Sequence, residues 1–171
     1  MSAESKEFLY QQLKTTDLQI EEIISKYLTD ENVKNALLHY IDWLKANELS
    51  PTYLDFEGQS PIWEVEYKGK KHYIVWYGKD GASIMIQANF SAEYQAIIRE
   101  NNLQDIVLKN LQYCSRASGD QCDNCHLPPD VAGVDEVIFG KEVKNLCCGQ
   151  YITFNNPGND IIEGIKKLVE Y

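Results

Sequence analysis

The hydrophobic pattern changes its period along the chain, and this change limits the possible folds more than any other feature. After Asp30 the apolar residues follow the spacing of one helical face: Val33, Ala36, Leu37, Tyr40, Ile41 and Leu44. The helix is expected to start at Thr29 or Asp30 and to stop before Pro51. From residue 62 onwards, apolar and polar residues alternate instead, which is typical of half-buried strands. Helical and strand periods in separate parts of the chain predict an α+β fold.

Three short strands joined by glycine-containing turns predict an antiparallel meander. The first strand, IWEVEY, places Trp63, Val65 and Tyr67 on one face and two glutamates on the other. A Lys-Gly turn at 68–69 leads to HYIVWY, which is apolar on both faces and is therefore predicted to be the middle strand. The segment GKDG at 78–81 turns the chain into the third strand, ASIMIQA.

Helix-capping residues and helix-breaking residues indicate where the helices before and after this meander begin and end. Residues 4–28 are predicted to be helical, with Thr16 and Gln19 as a capping box. Ser91 is predicted to cap a helix that extends to about residue 112 and breaks at the Asn-Asn pair after Glu100.

The C-terminal third is predicted to hold the cysteine-bearing loop, short strands and a last helix. EVIFGKEVKNL suggests a hairpin that turns at Gly140 and Lys141, and YITF suggests a short strand. Asp160 is predicted to cap the last helix. The apolar residues expected on that helix are Ile161, Ile165, Leu168 and Val169.

Length and charge narrow the class of protein. The 171 residues predict a single α+β domain over 1–171, with a helical N-terminal part at 1–48 and a cysteine-bearing C-terminal part at 110–171. The formal net charge is −10 and no basic stripe is present, so neither nucleic acid nor an anionic membrane surface is an expected partner. No apolar stretch reaches the roughly 18 residues of a membrane span and no secretory signal is visible, so a cytoplasmic location is expected.

All five cysteines lie in the C-terminal part of the chain. Thiols stay reduced in the cytoplasm, and a disulfide framework would spread over the whole chain, so the clustering favours metal or redox chemistry. Cys122 and Cys125 have the C-x2-C spacing that supplies two zinc ligands from one tight turn. Neighbours on a strand point to opposite faces, so only one of Cys147 and Cys148 is expected to reach the same ion. The predicted cofactor is a structural zinc ion held by Cys122 and Cys125, with Cys114 and one of Cys147 and Cys148 to complete the tetrahedron and His126 able to replace one of them.

The same cysteines allow three other interpretations. CDNCH matches the haem-attachment signature C-x-x-C-H, but covalent haem attachment normally takes place outside the cytoplasm. Cys122 and Cys125 could form a redox dithiol, although two prolines follow the pair and no strand-helix pattern surrounds it. Reduced cysteines can also be small buried apolar residues without any further role.

Four phrases follow one another in the C-terminal third: CDNCH, VIFGKEVKNLC, ITFNNP and DIIEGIKKLVE. In this order they resemble the tail of a family of small uncharacterised bacterial cytosolic proteins, which has a cysteine cluster, an IFGKE…NxC phrase, an F-x-NP strand and a last helix. The resemblance covers roughly residues 110–171. It implies a shared fold and cysteine site, with Cys122, Cys125 and Cys147 as the matching cysteines and Cys114 as a looser fourth. It implies no reaction, and HLPPDVAGVD stands where the family usually has a glycine-rich segment.

No catalytic or cofactor-binding residue is predicted elsewhere, because no G-x-S-x-G, H-E-x-x-H or phosphate-binding loop occurs. His39 is expected at the surface and His72 at a sheet edge. The leading hypothesis is therefore a non-enzymatic domain with a structural zinc site, and the alternative is a thiol redox protein or sensor. A third hypothesis is a small-molecule or protein-binding domain, since one set of aromatic residues on the sheet could be exposed. These aromatic residues are Trp63, Tyr67, Tyr73, Trp76 and Tyr77.

Overall fold

A computed structural model describes residues 19–54, 60–78, 81–118 and 131–171 of the chain. Five α-helices lie within these ranges: α1 Ile20–Tyr27, α2 Glu31–Ala46, α3 Ala92–Glu100, α4 Gln104–Lys109 and α5 Asn159–Glu170. The strands there are β1 Thr52–Leu54, β2 Ile62–Tyr67, β3 Lys70–Trp76, β4 Ala82–Gln87, β5 Val134–Ile138, β6 Lys141–Leu146 and β7 Tyr151–Asn155. A short 3-10 helix covers Ser115–Ser118. The predicted helical residues 4–18 lie outside the described ranges.

Five strands form one antiparallel sheet, and their order confirms the predicted meander. The order is β1-β2-β3-β4-β7, whereas β5 and β6 pair as a separate hairpin. As predicted, the strand that is apolar on both faces, β3, lies in the middle of the sheet. Helices flanking an antiparallel sheet confirm the α+β class. The predicted sheet-edge position of His72 is wrong, because β3 is the central strand and its histidine is buried.

One face of the five-stranded sheet carries the hydrophobic core. Alternate residues of the strands, including Trp63, Ile74, Ile84 and Phe154, pack in one cluster with the buried sides of the helices. We call the opposite face, which carries Glu64, Lys71, Tyr73, Met85, Tyr151 and Thr153, the outer face. None of the helices in the described part of the chain is long and apolar enough to cross a membrane.

The second helix has the predicted start and the predicted stripe. The carboxylate of Asp30 accepts hydrogen bonds from the backbone N–H groups of Asn32 at 3.0 Å and Val33 at 3.2 Å, as an N-cap does. The helix ends at Ala46, before Pro51. Its buried residues are the six predicted ones: Val33, Ala36, Leu37, Tyr40, Ile41 and Leu44.

The third helix also begins and breaks where the sequence predicts. The Ser91 hydroxyl accepts a hydrogen bond from the N–H of Tyr94 at 3.2 Å, which fixes the first turn of α3. Asn102 adopts φ +56°, a left-handed conformation that asparagine tolerates better than most residues. The helical stretch therefore stops there and resumes as α4 at Gln104.

The predicted roles of Gln19 and Asp160 at helix starts are wrong. Gln19 is the N-cap of α1 with an extended backbone, so it cannot be the third helical residue of a capping box. Its predicted partner, Thr16, lies outside the described residues. In the last helix the N-cap is Gly158, so Asp160 lies in the first turn instead. Its negative charge there interacts favourably with the positive end of the helix dipole.

The C-terminal hairpin differs from its prediction by one residue. Ile138 pairs with Lys141, so the turn is formed by Phe139 and Gly140 rather than by Gly140 and Lys141. These turn residues have φ +51° and φ +78°, and two positive values in succession are typical of a type I′ hairpin turn. In α5, Ile162 is fully buried and the predicted Ile161 is only half-buried.

Candidate functional site

The end of β6 is a junction at which three segments of the chain meet. Leu146, the last residue of β6, pairs with Val134 of β5 on one side and with Tyr113 on the other. Its side chain is fully buried, so the junction is fixed by packing as well as by backbone pairing. We call this arrangement the Leu146 junction.

Two backbone hydrogen bonds place the segments of Cys114 and Cys147 side by side. The N–H of Cys114 donates to the carbonyl of Asn145 at 2.7 Å, and the N–H of Cys147 donates to the carbonyl of Gln112 at 2.9 Å. Both distances are typical of well-formed N–H···O bonds. Two cysteines that are far apart in the sequence are therefore held on neighbouring stretches of main chain.

The chain also enters β5 through this junction. Gly133 adopts φ +92°, and a Cβ atom on it would lie 2.6 Å from the carbonyl carbon of Asn145 and 2.8 Å from the carbonyl oxygen of Leu146. Only glycine permits so close an approach of two backbones with a positive φ. The segment 119–130 thus has both of its described flanks at the Leu146 junction.

Three of the six predicted metal ligands belong to the described part of the chain. Cys114 is buried, with 3 % of its surface exposed, whereas Cys147 and Cys148 are half-buried. Cys147 continues the pairing of β6, while Cys148 begins the turn towards β7. The other three predicted ligands, Cys122, Cys125 and His126, lie outside the described residues.

The described side chains alone do not form a metal centre. Within residues 19–54, 60–78, 81–118 and 131–171, no three His, Cys, Asp or Glu side chains lie close enough together to hold a metal ion. A four-coordinate zinc site at the Leu146 junction therefore requires ligands from segment 119–130 in addition.

Gln95 docks the C-terminal hairpin onto α3. Its Nε2 atom donates to the carbonyls of Phe90 at 2.7 Å and Val137 at 3.0 Å, and its Oε1 atom accepts from the N–H of Phe139 at 2.7 Å. The guanidinium of Arg99 lies 5.4 Å from the ring centre of Phe139. Sequence reasoning missed Gln95, because one polar residue on an amphipathic helix gives no sign of a distant partner.

A hydrogen-bonded group of polar and aromatic side chains lies on the outer face. The ammonium of Lys71 donates to both carboxylate oxygens of Glu64, each at 3.1 Å. Tyr73 lies opposite Glu64 in the β2–β3 register, and its ring centre is 5.6 Å from that of Tyr151. Burial, then the hydrogen bond to Tyr151 and the neighbouring Glu64, raise the pKa of Tyr73. Its phenol therefore stays protonated near neutral pH and can donate a hydrogen bond.

The predicted aromatic cluster is divided between the two faces of the sheet. Trp63 and Trp76 are buried in the core, and Tyr67 packs against that core from its margin. Tyr73 lies on the outer face, and Tyr77 follows β3 with 41 % of its surface exposed. Of the five residues, it is Tyr73 whose ring packs against another aromatic ring, that of Tyr151, on the outer face.

Comparisons with protein-family models, curated proteins and solved structures found no match to this chain. The functions of the Leu146 junction and of the outer face therefore have to be inferred from their own geometry and chemistry.

Proposed function

We propose that the chain is a non-enzymatic cytoplasmic domain in which a structural zinc ion ties segment 119–130 to the Leu146 junction. The observation that carries the proposal is the backbone pairing of the Cys114 and Cys147 segments on either side of Leu146. The resemblance of the C-terminal third to the tail of small bacterial cytosolic proteins supports the same positions. The proposed ligands are Cys114, Cys122, Cys125 and Cys147, with His126 and Cys148 as alternates.

The anchored flanks of segment 119–130 lower the cost of assembling such a site. The entropic cost of bringing cysteines together grows with the length of free chain between them. Here pairing at Leu146 already joins the stretch before the segment to the stretch after it. Ligands supplied by segment 119–130 would therefore assemble with Cys147 at a lower entropic cost than ligands on a free chain.

The burial of Cys114 is compatible with a zinc ligand. A thiolate at a position with 3 % exposure would be an uncompensated buried charge, which is costly. Zinc binds cysteine in its thiolate form and supplies the compensating charge. Because the ligands come together only in the folded chain, the binding free energy adds to the stability of the fold.

Zinc content tests the proposal. We expect the protein, purified without a histidine tag, to hold about one zinc ion per chain when measured by mass spectrometry of the metal. Cys122→Ser should lose most of this zinc, because it removes one of the paired thiolates. Cys148→Ser tests the alternate ligand: it should retain the zinc if Cys147 is the fourth ligand, whereas loss of zinc in Cys148→Ser with retention in Cys147→Ser would assign that place to Cys148.

A metal-free protein would contradict the proposal. If its thiols were also oxidised and reduced reversibly, and Cys122→Ser abolished this cycle, the redox alternative would replace the zinc site. A metal-free protein without reversible oxidation would leave the cysteines as small buried residues.

The outer face supports recognition of a small aromatic ligand as a second candidate function. The favouring observation is the neighbouring pair of rings, Tyr73 and Tyr151, beside the ion pair of Glu64 and Lys71. Rings offer a stacking surface, while the ammonium of Lys71 offers a donor to a ligand acceptor. Protein partners with an exposed aromatic residue would present the same chemistry.

Binding of the dye 8-anilinonaphthalene-1-sulfonate tests this second candidate, because the dye combines aromatic rings with one anionic acceptor. We expect saturable binding whose affinity falls roughly two- to tenfold in Tyr151→Ala, the range that one aromatic contact contributes. Tyr77→Ala is the control and should leave the affinity unchanged. Absence of saturable binding, or equal loss in both variants, would refute the candidate.

A further inference from the structure

His72 interrupts a row of buried aliphatic side chains across the middle of the sheet. In the strand register, Val65 pairs with His72, His72 with Ile86, and Ile86 with Ile152. Each of the four residues has at most 1 % of its surface exposed. The neighbouring strands therefore present only hydrocarbon to the two sides of the imidazole.

The imidazole has no hydrogen-bond partner among the described residues. Both Nδ1 and Nε2 of His72 are buried and unpaired. A neutral imidazole carries one N–H donor, whereas the protonated ring carries two donors and a full positive charge. Protonation at this position would therefore bury a charge and a second unpaired donor, and both changes disfavour the folded state.

The charged groups at this end of the sheet do not compensate a protonated imidazole. Lys70, two residues earlier in β3, lies with its ammonium 5.2 Å from the ring centre of Tyr171. The ammonium of Lys68 donates to the backbone carbonyl of Glu170 at the end of α5. From α3, Tyr94 contributes a buried phenol whose ring centre is 5.6 Å from that of Tyr171. Of these groups it is Lys70 whose charge acts on His72, and that charge has the same sign as a protonated imidazole.

The physical consequence is a histidine that stays neutral in the folded protein. Burial, and then the positive charge of Lys70, lower the pKa of His72 from 6.5 to about 4. The unfolded chain binds the proton with a pKa near the ordinary value of about 6.5. When the pKa of a group is lower in the folded protein than in the unfolded chain, acid destabilises the fold. The free energy of unfolding falls as the pH drops from the pKa of the unfolded chain to that of the folded protein.

We propose that His72 is an acid-sensitive switch: a state in which α3 and α5 have loosened from the sheet takes up one proton that the packed state excludes, so acid favours the loosened state. The switch works because the imidazole lies in an apolar row, has no hydrogen-bond partner among the described residues and is exposed to the positive charge of Lys70. It acts between about pH 6.5 and pH 4, the interval in which the unfolded chain binds the proton and the folded chain does not.

Urea unfolding at pH 7.5 and pH 5.0 tests the switch in the whole protein. We expect the lower pH to raise the unfolding equilibrium constant of the wild type about 30-fold more than that of His72→Leu, because leucine cannot take up a proton. His39→Gln is the control, since His39 is a half-exposed histidine on α2, and it should keep the wild-type response. Equal responses of the wild type and His72→Leu would overturn the proposal.

A titration of the His72 ring proton by NMR keeps the proposal testable if His72→Leu does not fold. In the wild type its chemical shift should stay constant from pH 8 down to about pH 5. A titration midpoint near 6.5 in the folded protein would mean that the ring is protonated without cost, and the switch would not exist.

Discussion

Replacing Phe154 by alanine should lower the free energy of unfolding by about 3–5 kcal/mol, the range for removal of a buried aromatic ring. Phe154 is fully buried, pairs with Ile84 of β4 and packs in the core between sheet and helices. It belongs to β7, the strand through which the C-terminal part of the chain joins the main sheet. The loss is a large fraction of the 5–15 kcal/mol that typically stabilises a domain.

Urea denaturation monitored by circular dichroism measures this loss. Thr153→Ala is the matched control, because Thr153 is the neighbour of Phe154 in β7 and lies half-buried on the outer face. It should cost less than about 1 kcal/mol, as substitutions outside the core generally do. If Phe154→Ala cost no more than Thr153→Ala, the helix-facing side of β7 would not be core.

Gly133→Ala should open the Leu146 junction. A residue with a side chain at φ +92° is strained by about 1–3 kcal/mol, and the new Cβ would also lie 2.6 Å from the backbone of Asn145. Backbone atoms cannot move aside as the end of a flexible side chain can, so the two segments have to separate. We expect the N–H groups of Cys114 and Cys147, which hold the junction, to exchange with solvent at least about tenfold faster.

Gly140→Ala separates the effect of backbone strain from the effect of the clash. Gly140 lies in the turn of the same hairpin with φ +78°, but no atom lies within 4 Å of the Cβ position. The exchange rates at Cys114 and Cys147 should therefore change little in this variant. Equal acceleration in Gly133→Ala and Gly140→Ala would show that close packing of Gly133 does not hold the junction.

The sequence correctly predicted the elements that are determined by residues close to one another in the chain. The stripe on α2 and the Asp30 cap depend on residues within a few positions of each other, and both are as predicted. The central place of β3 follows from its own composition, because only a strand covered on both faces is apolar on both. The hairpin turn lies one residue earlier in the chain than predicted. Its position could not be read from the sequence, because Phe139 adopts a positive φ that its side chain does not favour.

Pairings between distant segments could not be predicted in the same way. β7 lies beside β4, although more than sixty residues separate Gln87 from Tyr151, and no periodicity carries that information. The Leu146 junction and the Gln95 contacts likewise join parts of the chain that share no local signal. The spacing of Cys122 and Cys125 predicted a possible metal knuckle, but the pairing of Cys114 with the β6 end appears only in the fold.

X-ray absorption at the zinc edge is the most direct test of the zinc site at the Leu146 junction. We expect stoichiometric zinc surrounded by four sulfur atoms at about 2.3 Å, or by three sulfur atoms and one nitrogen at about 2.0 Å if His126 replaces a cysteine. Cys147→Ser should remove one sulfur or the metal, and the same loss in Cys148→Ser instead would assign the fourth ligand to the alternate, Cys148. A protein without zinc, or a zinc ion surrounded by oxygen atoms, would contradict the account.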